Sequence, residues 1–184
     1  MKLNRNLLPR ILRYHGPADG MKDCSFGEFT RVQMKVEDYS KSGDDKDLDE
    51  LVATLYRRRR PLWFIRRRFV ATSDCRRRFI EKDLPARMKK MSRAPHAEKY
   101  AVFLFVMGVM GSLPEKFPNV YRKKGERDQA GGGWASLIIS LADGKTDDES
   151  LDRVFYSNMY NVFMGLEQKA IEYFQFLKDT KQND

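Results

Sequence analysis

The chain has 184 residues, 41% hydrophobic and 12% aromatic, enough apolar material for one packed core and too much for global disorder. Its net charge is +9, yet residues 57–78 hold ten arginines against the single acid Asp74, so this one segment accounts for the whole excess and the other 162 residues sum to zero. That excludes a domain that is basic throughout, and two lone cysteines, Cys24 and Cys75, with no CxxC spacing argue for a reducing compartment and buried or indifferent thiols over a disulfide framework.

The first 24 residues contain Pro9, Gly16, Pro17 and Gly20 and read as mostly irregular. Ser25 then opens "SFGEF", where its hydroxyl can cap a first turn while Glu28 reaches back to the cap amide. Phe26, Phe29, Val32, Met34, Val36 and Tyr39 fall on one side of a helix ending near Ser40. "SGDDKD" reads as a turn, and the acids Asp44, Asp45 and Asp47 suit the positive end of a second helix over 47–57, with Leu48, Leu51, Val52 and Leu55 at helical spacing. Pro61 is the expected stop of that helix. The arginine segment follows, "RRRRPLWFIRRR" over 57–68 and "RRR" again at 76–78, and its aromatic and β-branched residues read as extended.

Pro85 suits the first turn of a short helix. "AEKYAVFLFVMGVMG" after His96 is apolar almost all round, which predicts the central, most buried helix of the fold. Pro114, Pro118 and "KKGERDQAGGG" predict a long connector, with 122–133 flexible. Trp134 starts a short helix closed by Gly144, Thr146 with Glu149 makes a second candidate capping box, and a last helix over 158–178 stripes Tyr160, Phe163, Leu166, Ala170, Tyr173, Phe174 and Leu177 on one side. The expectation is an all-α single domain over 1–184, six to seven helices, carrying a basic extended insertion at 58–78.

Residues that carry chemistry are sparse. His15, His96, Cys24 and Cys75 never cluster at ligand spacing, so no metal site is expected. Gly131–Gly133 lacks the Lys-Ser/Thr of a phosphate loop. The acids at 44, 45 and 47 and at 143, 147 and 148 are explained by helix capping. No base, nucleophile and stabiliser set is visible, so neither an enzyme nor a cofactor is expected. The longest apolar run, Ala101–Leu113, falls short of the ~20 residues of a membrane span. The N-terminus, "MKLNRNLLPRILRYHGP", lacks the continuous apolar core of a signal peptide. The expected location is therefore cytoplasmic, with no membrane partner. Met107 and Met110 with Met159 and Met164 read as core filler or as part of a partner groove.

The arginine segment is the strongest signal. Arg57, Arg58, Arg59, Arg60, Arg66, Arg67, Arg68, Arg76, Arg77 and Arg78, with Trp63 and Phe64 among them, are the candidate binding residues. Arginines engage phosphates bidentately and the two aromatics could stack on bases, which fits a nucleic acid. A protein-docking arm and a solvated loop are the other readings, and all three predict an exposed, external segment.

"FGEFTRVQMKVEDYSKSGDDKDLDELVATLYR" at 26–57 resembles the opening of small helical proteins of tailed-phage and prophage tail modules. "GWASLIISLADGKTDDESLDRVFYSNMYNVFMGLEQKAIE" at 133–172 resembles their close: a Trp-led helix, a short helix, then one beginning N-x-Y-x-V. The resemblance is to tail assembly chaperones. It implies a non-enzymatic, all-helical protein of the host-cell cytoplasm that binds the tape-measure or another tail protein. The ten-arginine insertion departs from that pattern and leaves a nucleic acid as the alternative partner.

Overall fold

The computed structural model describes residues 11, 14–17, 19–58, 76–121 and 134–182. It is all-α: the described residues form seven α-helices and two short 3-10 turns, and no sheet. The helices are α1 (Phe26–Ser42), α2 (Asp45–Leu55), α3 (Leu84–Met91), α4 (His96–Lys116), α5 (Trp134–Leu141), α6 (Asp148–Tyr156) and α7 (Met159–Gln182).

Local chemistry sets the first two. Ser25 Oγ accepts from Glu28 N at 3.3 Å and Glu28 Oε2 accepts from Ser25 N at 2.9 Å, the reciprocal box that satisfies two otherwise orphaned amides. At the other end Gly43 takes φ +65°, a left-handed conformation that only glycine adopts cheaply, and its amide donates to Tyr39 O. Asp44 caps α2 by accepting from Lys46 N at 2.9 Å. α1 and α2 therefore form a tight hairpin. It is stitched on the outside by Lys35, whose ammonium reaches Asp38, Asp47 and Glu50, and by Arg31 with Glu50.

This hairpin is the centre of the fold. α2 packs on α3 and α4, α1 packs on α6 and α7, and α5 rests on α6. Aromatic rings join the two sides: Phe163 of α7 meets Phe29 of α1 edge-on at 5.4 Å and stacks with Phe117, just past α4, at 5.2 Å. The starts of α1 and α7 are tied by backbone bonds, Phe26 N to Ser157 O and Met159 N to Cys24 O. Gly27 lets the Phe155 ring of α6 lie directly against α1, where a Cβ would come within 2.3 Å of it.

Three sequence expectations change. α2 ends at Leu55, six residues before Pro61, because Tyr56 and Arg57 turn extended and Arg57 exchanges backbone hydrogen bonds with His15 at 3.0 and 3.2 Å. The cap of α6 is Asp147 rather than Thr146: its carboxylate accepts from Ser150 N at 2.9 Å. The most buried helix is α2, whose side chains from Leu51 to Leu55 are all buried, and not α4. α4 buries Val102, Phe103, Val106, Val109 and Leu113 and leaves its opposite side exposed. The expected connector at 122–133 lies outside the described residues.

Candidate docking surfaces

The arginine segment divides by burial. Arg57, 2% exposed, lies in a pair with the buried Glu28, so the residue that boxes the start of α1 also neutralises the first arginine. Arg76 is 0% exposed. Its guanidinium donates to Leu55 O at 2.6 Å, the last carbonyl of α2, where the helix dipole favours a cation. The same group donates to Asp23 O at 3.2 Å, approaches Asp23 Oδ1 at 3.4 Å and touches Cys24 Sγ at 3.6 Å. Burial pushes the Cys24 thiol far above its ordinary pKa, against the opposing pull of Arg76, which leaves an inert thiol. Both arginines belong to the fold, which corrects two expectations: that Arg76 stands in the external insertion at 58–78, and that Arg57 is exposed for binding. Sequence alone could not pick them out, because Glu28 and Leu55 O come from distant positions.

Arg58, Arg77 and Arg78 are exposed, as expected. Arg77 N donates to Arg58 O at 2.8 Å, so the backbone at the two ends of the segment is fastened together. The Arg78 guanidinium lies 3.6 Å from the centre of the Tyr156 ring, and Arg58 lies 5.9 Å from that of Tyr14. Neither tyrosine was legible as a partner in the sequence. The remaining candidates, Arg59, Arg60, Trp63, Phe64, Arg66, Arg67 and Arg68, lie outside the described residues.

The second surface is the outer side of α4. From Tyr100 to Gly111 the exposed positions are Tyr100, Ala101, Leu104, Met107, Gly108 and Gly111, and none carries a charge. Leu104 is 53% exposed and Met107 44%. Gly108 and Gly111 open onto empty space, with no atom near where a Cβ would stand. The only buried charge of the helix points inward: Lys99 donates to Asp49 of α2 at 2.7 Å. On α7, Met164 is 57% exposed, and Tyr173 and Phe176 are exposed as well. Of the methionines read as core filler, Met159 is fully buried, whereas Met107 and Met164 face out.

Glu167 of α7 fixes the turn that follows α4, accepting from Asn119 N, Asn119 Nδ2 and Val120 N at 2.6–3.1 Å. Partial burial raises its pKa, but these hydrogen bonds outweigh that and hold the carboxyl below its ordinary range. Among the described residues no helix is long and apolar enough to cross a membrane, and no three metal-ligating side chains come together. Compared with protein-family models, with curated proteins and with solved structures, the chain matches none.

Proposed function

We propose that this chain is a non-enzymatic binding protein of the tail-assembly-chaperone kind, which covers an apolar helical segment of another phage protein, the tape measure first among the candidates. The observation that carries the reading is the uncharged outer side of α4. Apolar side chains left in contiguous view mark binding faces when they exceed what a core needs. The face also has the relief a helix requires: Leu104 and Met107 project, while Ala101, Gly108 and Gly111 leave low ground between them. An amphipathic partner helix can lay its own apolar row into that relief, helix in groove. Methionine's pliable side chain tolerates varied partners, as a protein that shields a long chain of changing sequence needs.

Co-expression with the tape-measure protein encoded in the same genome, followed by pull-down, tests the reading. A recovered complex supports it. A tape-measure protein that is fully soluble alone and never associates with this chain counts against it.

A further inference from the structure

We infer that the groove between α5 and α6 is a second docking site, separate from α4, that takes a basic amphipathic helix of a partner protein. The first observation is a cavity of about 300 Å³, lined by Ile138 and Ile139 of α5 and by Leu151, Asp152 and Phe155 of α6. Its wall is hydrocarbon apart from one carboxylate. The residues Trp134–Leu141 that form α5 include no charge, and the helix rests on α6 with Ile139 37% exposed and Ile138 and Leu141 half-buried. An apolar wall left in view in this way marks a binding face. The volume lies at the small end of the ~300–1,000 Å³ range of ligand pockets, which suits anchoring side chains rather than a whole cofactor.

The second observation is the charge beside the cavity. Asp148 and Asp152 stand one turn apart on α6, as do Leu151 and Phe155, so both acids border the apolar wall. Both are exposed, and among the described residues neither makes an ion pair or a side-chain hydrogen bond. The nearby basic groups are engaged elsewhere or stand apart: Arg153 lies 3.6 Å from Glu149, Arg78 lies on the Tyr156 ring, and Lys145 pairs with neither acid. Residues 143–156 hold five acids against two bases, although the chain as a whole carries +9. This corner is locally negative on a positive protein.

Together the two observations choose the occupant. An apolar row on the partner fills the cavity, and lysines or arginines beside that row meet Asp148 and Asp152. The described residues offer no sheet edge for an added strand, so the mode is helix in groove. A membrane surface has the wrong sign, because anionic headgroups attract basic faces and repel acidic ones. A second copy of this chain fits poorly for the same reason. Its most exposed large apolar side chain among the described residues is Phe176, at 65%, and Glu172 and Asp179 share that side of α7 and would meet the same acids.

The test uses labelled model helices of about 15 residues, one of leucine and lysine and one with glutamate in place of lysine, titrated with the full chain at low salt. Binding is read by fluorescence anisotropy. The wild type should bind the lysine peptide, less tightly as salt is added. Asp148→Lys/Asp152→Lys should weaken that binding about 30-fold, two exposed ion pairs being turned into repulsions, and should not weaken the glutamate peptide. Ile139→Ser, which removes hydrocarbon from the cavity wall, should weaken it about 10-fold. Glu172→Lys/Asp179→Lys makes the same change in net charge on α7 and should bind as the wild type does. So should Leu104→Ser/Met107→Ser, which alters only α4. If the α6 double variant does not fold, Asp152→Lys replaces it, with about a 5-fold loss expected. The inference is overturned by no binding of the lysine peptide at low salt, by unchanged affinity in a folded α6 variant, or by an equal loss in the α7 or α4 variant. It is also overturned if light scattering finds a dimer that Ile139→Ser dissociates, since a second copy would then fill the groove.

Discussion

Arg76 carries a full charge and is 0% exposed, whereas Leu104 is a hydrocarbon and is 53% exposed. The two regions they stand for, the base of the arginine segment and helix α4, reverse what their compositions suggest. Burying a guanidinium is costly unless its donors are met, and here Leu55 O, Asp23 and Cys24 meet them. Leaving a leucine in water forgoes roughly 1.5–3 kcal/mol of burial. α4 forgoes it repeatedly along one side, while placing Lys99 inside against Asp49. Composition sets what each burial costs, and the available partners decide where a side chain goes. An arginine with waiting acceptors belongs to the core. A leucine with no intramolecular cover is surplus to the fold, and that surplus is where a function can reside.

The contrast breaks most visibly at Arg76. Arg76→Ala leaves the Asp23 carboxylate and the last carbonyl of α2 without their cation, and should cost about 3–5 kcal/mol in urea unfolding, as loss of one member of a buried pair does. A cost below 1 kcal/mol, by roughly the scale of an exposed arginine, would return Arg76 to the external segment. Lys99→Met probes the inner side of α4 in the same way. It strands Asp49 and should destabilise strongly, whereas Lys99→Met/Asp49→Leu should recover most of the loss, since a packed apolar pair often equals or betters a buried ion pair. If the double variant is as unstable as the single one, the interaction between these side chains is not what holds α4 to α2.

Gly27→Ala comes next. The added carbon meets the Phe155 ring, and overpacking of this kind typically costs about 1–3 kcal/mol. An unchanged melting temperature would mean that α6 does not press on α1 there. Glu167 gives the smallest effect, visible as a pH dependence. Its folded pKa lies below its unfolded value, so its contribution is fully present above about pH 4.3 and is lost as pH falls through the folded value. The stability gap between wild type and Glu167→Gln should therefore be widest near neutrality and close in acid. A gap that widens in acid would have the wrong sign.

Much of the helical scaffold was legible because its signals are local. The Ser25–Glu28 box, the acids at the start of α2 and the early Pro85 of α3 each act within four residues and stand where the pattern placed them, while α1 runs on to Ser42, past the expected end near Ser40. The Asp147 cap was displaced by one residue, because an aspartate beside the threonine competes for the same amides. The docking surfaces were less legible, and the reason is distance. Arg57 and Arg76 look like their exposed neighbours until Glu28 and Leu55 O arrive from other parts of the chain. The apolar run of α4 looks like core from every side, and only the placement of α2 shows which side is covered. The cation–ring contact of Arg78 with Tyr156 spans 78 positions and has no sequence signature.

The outer side of α4 is tested most directly by Leu104→Glu/Met107→Glu, measured for urea unfolding and for co-purification with the tape-measure protein on the same preparation. Both side chains are exposed, so stability should stay within ~0.5 kcal/mol per site, while the complex should be lost. A variant that is folded and still recovers the partner in full would contradict the account, and so would one that unfolds because α4 is covered on both sides.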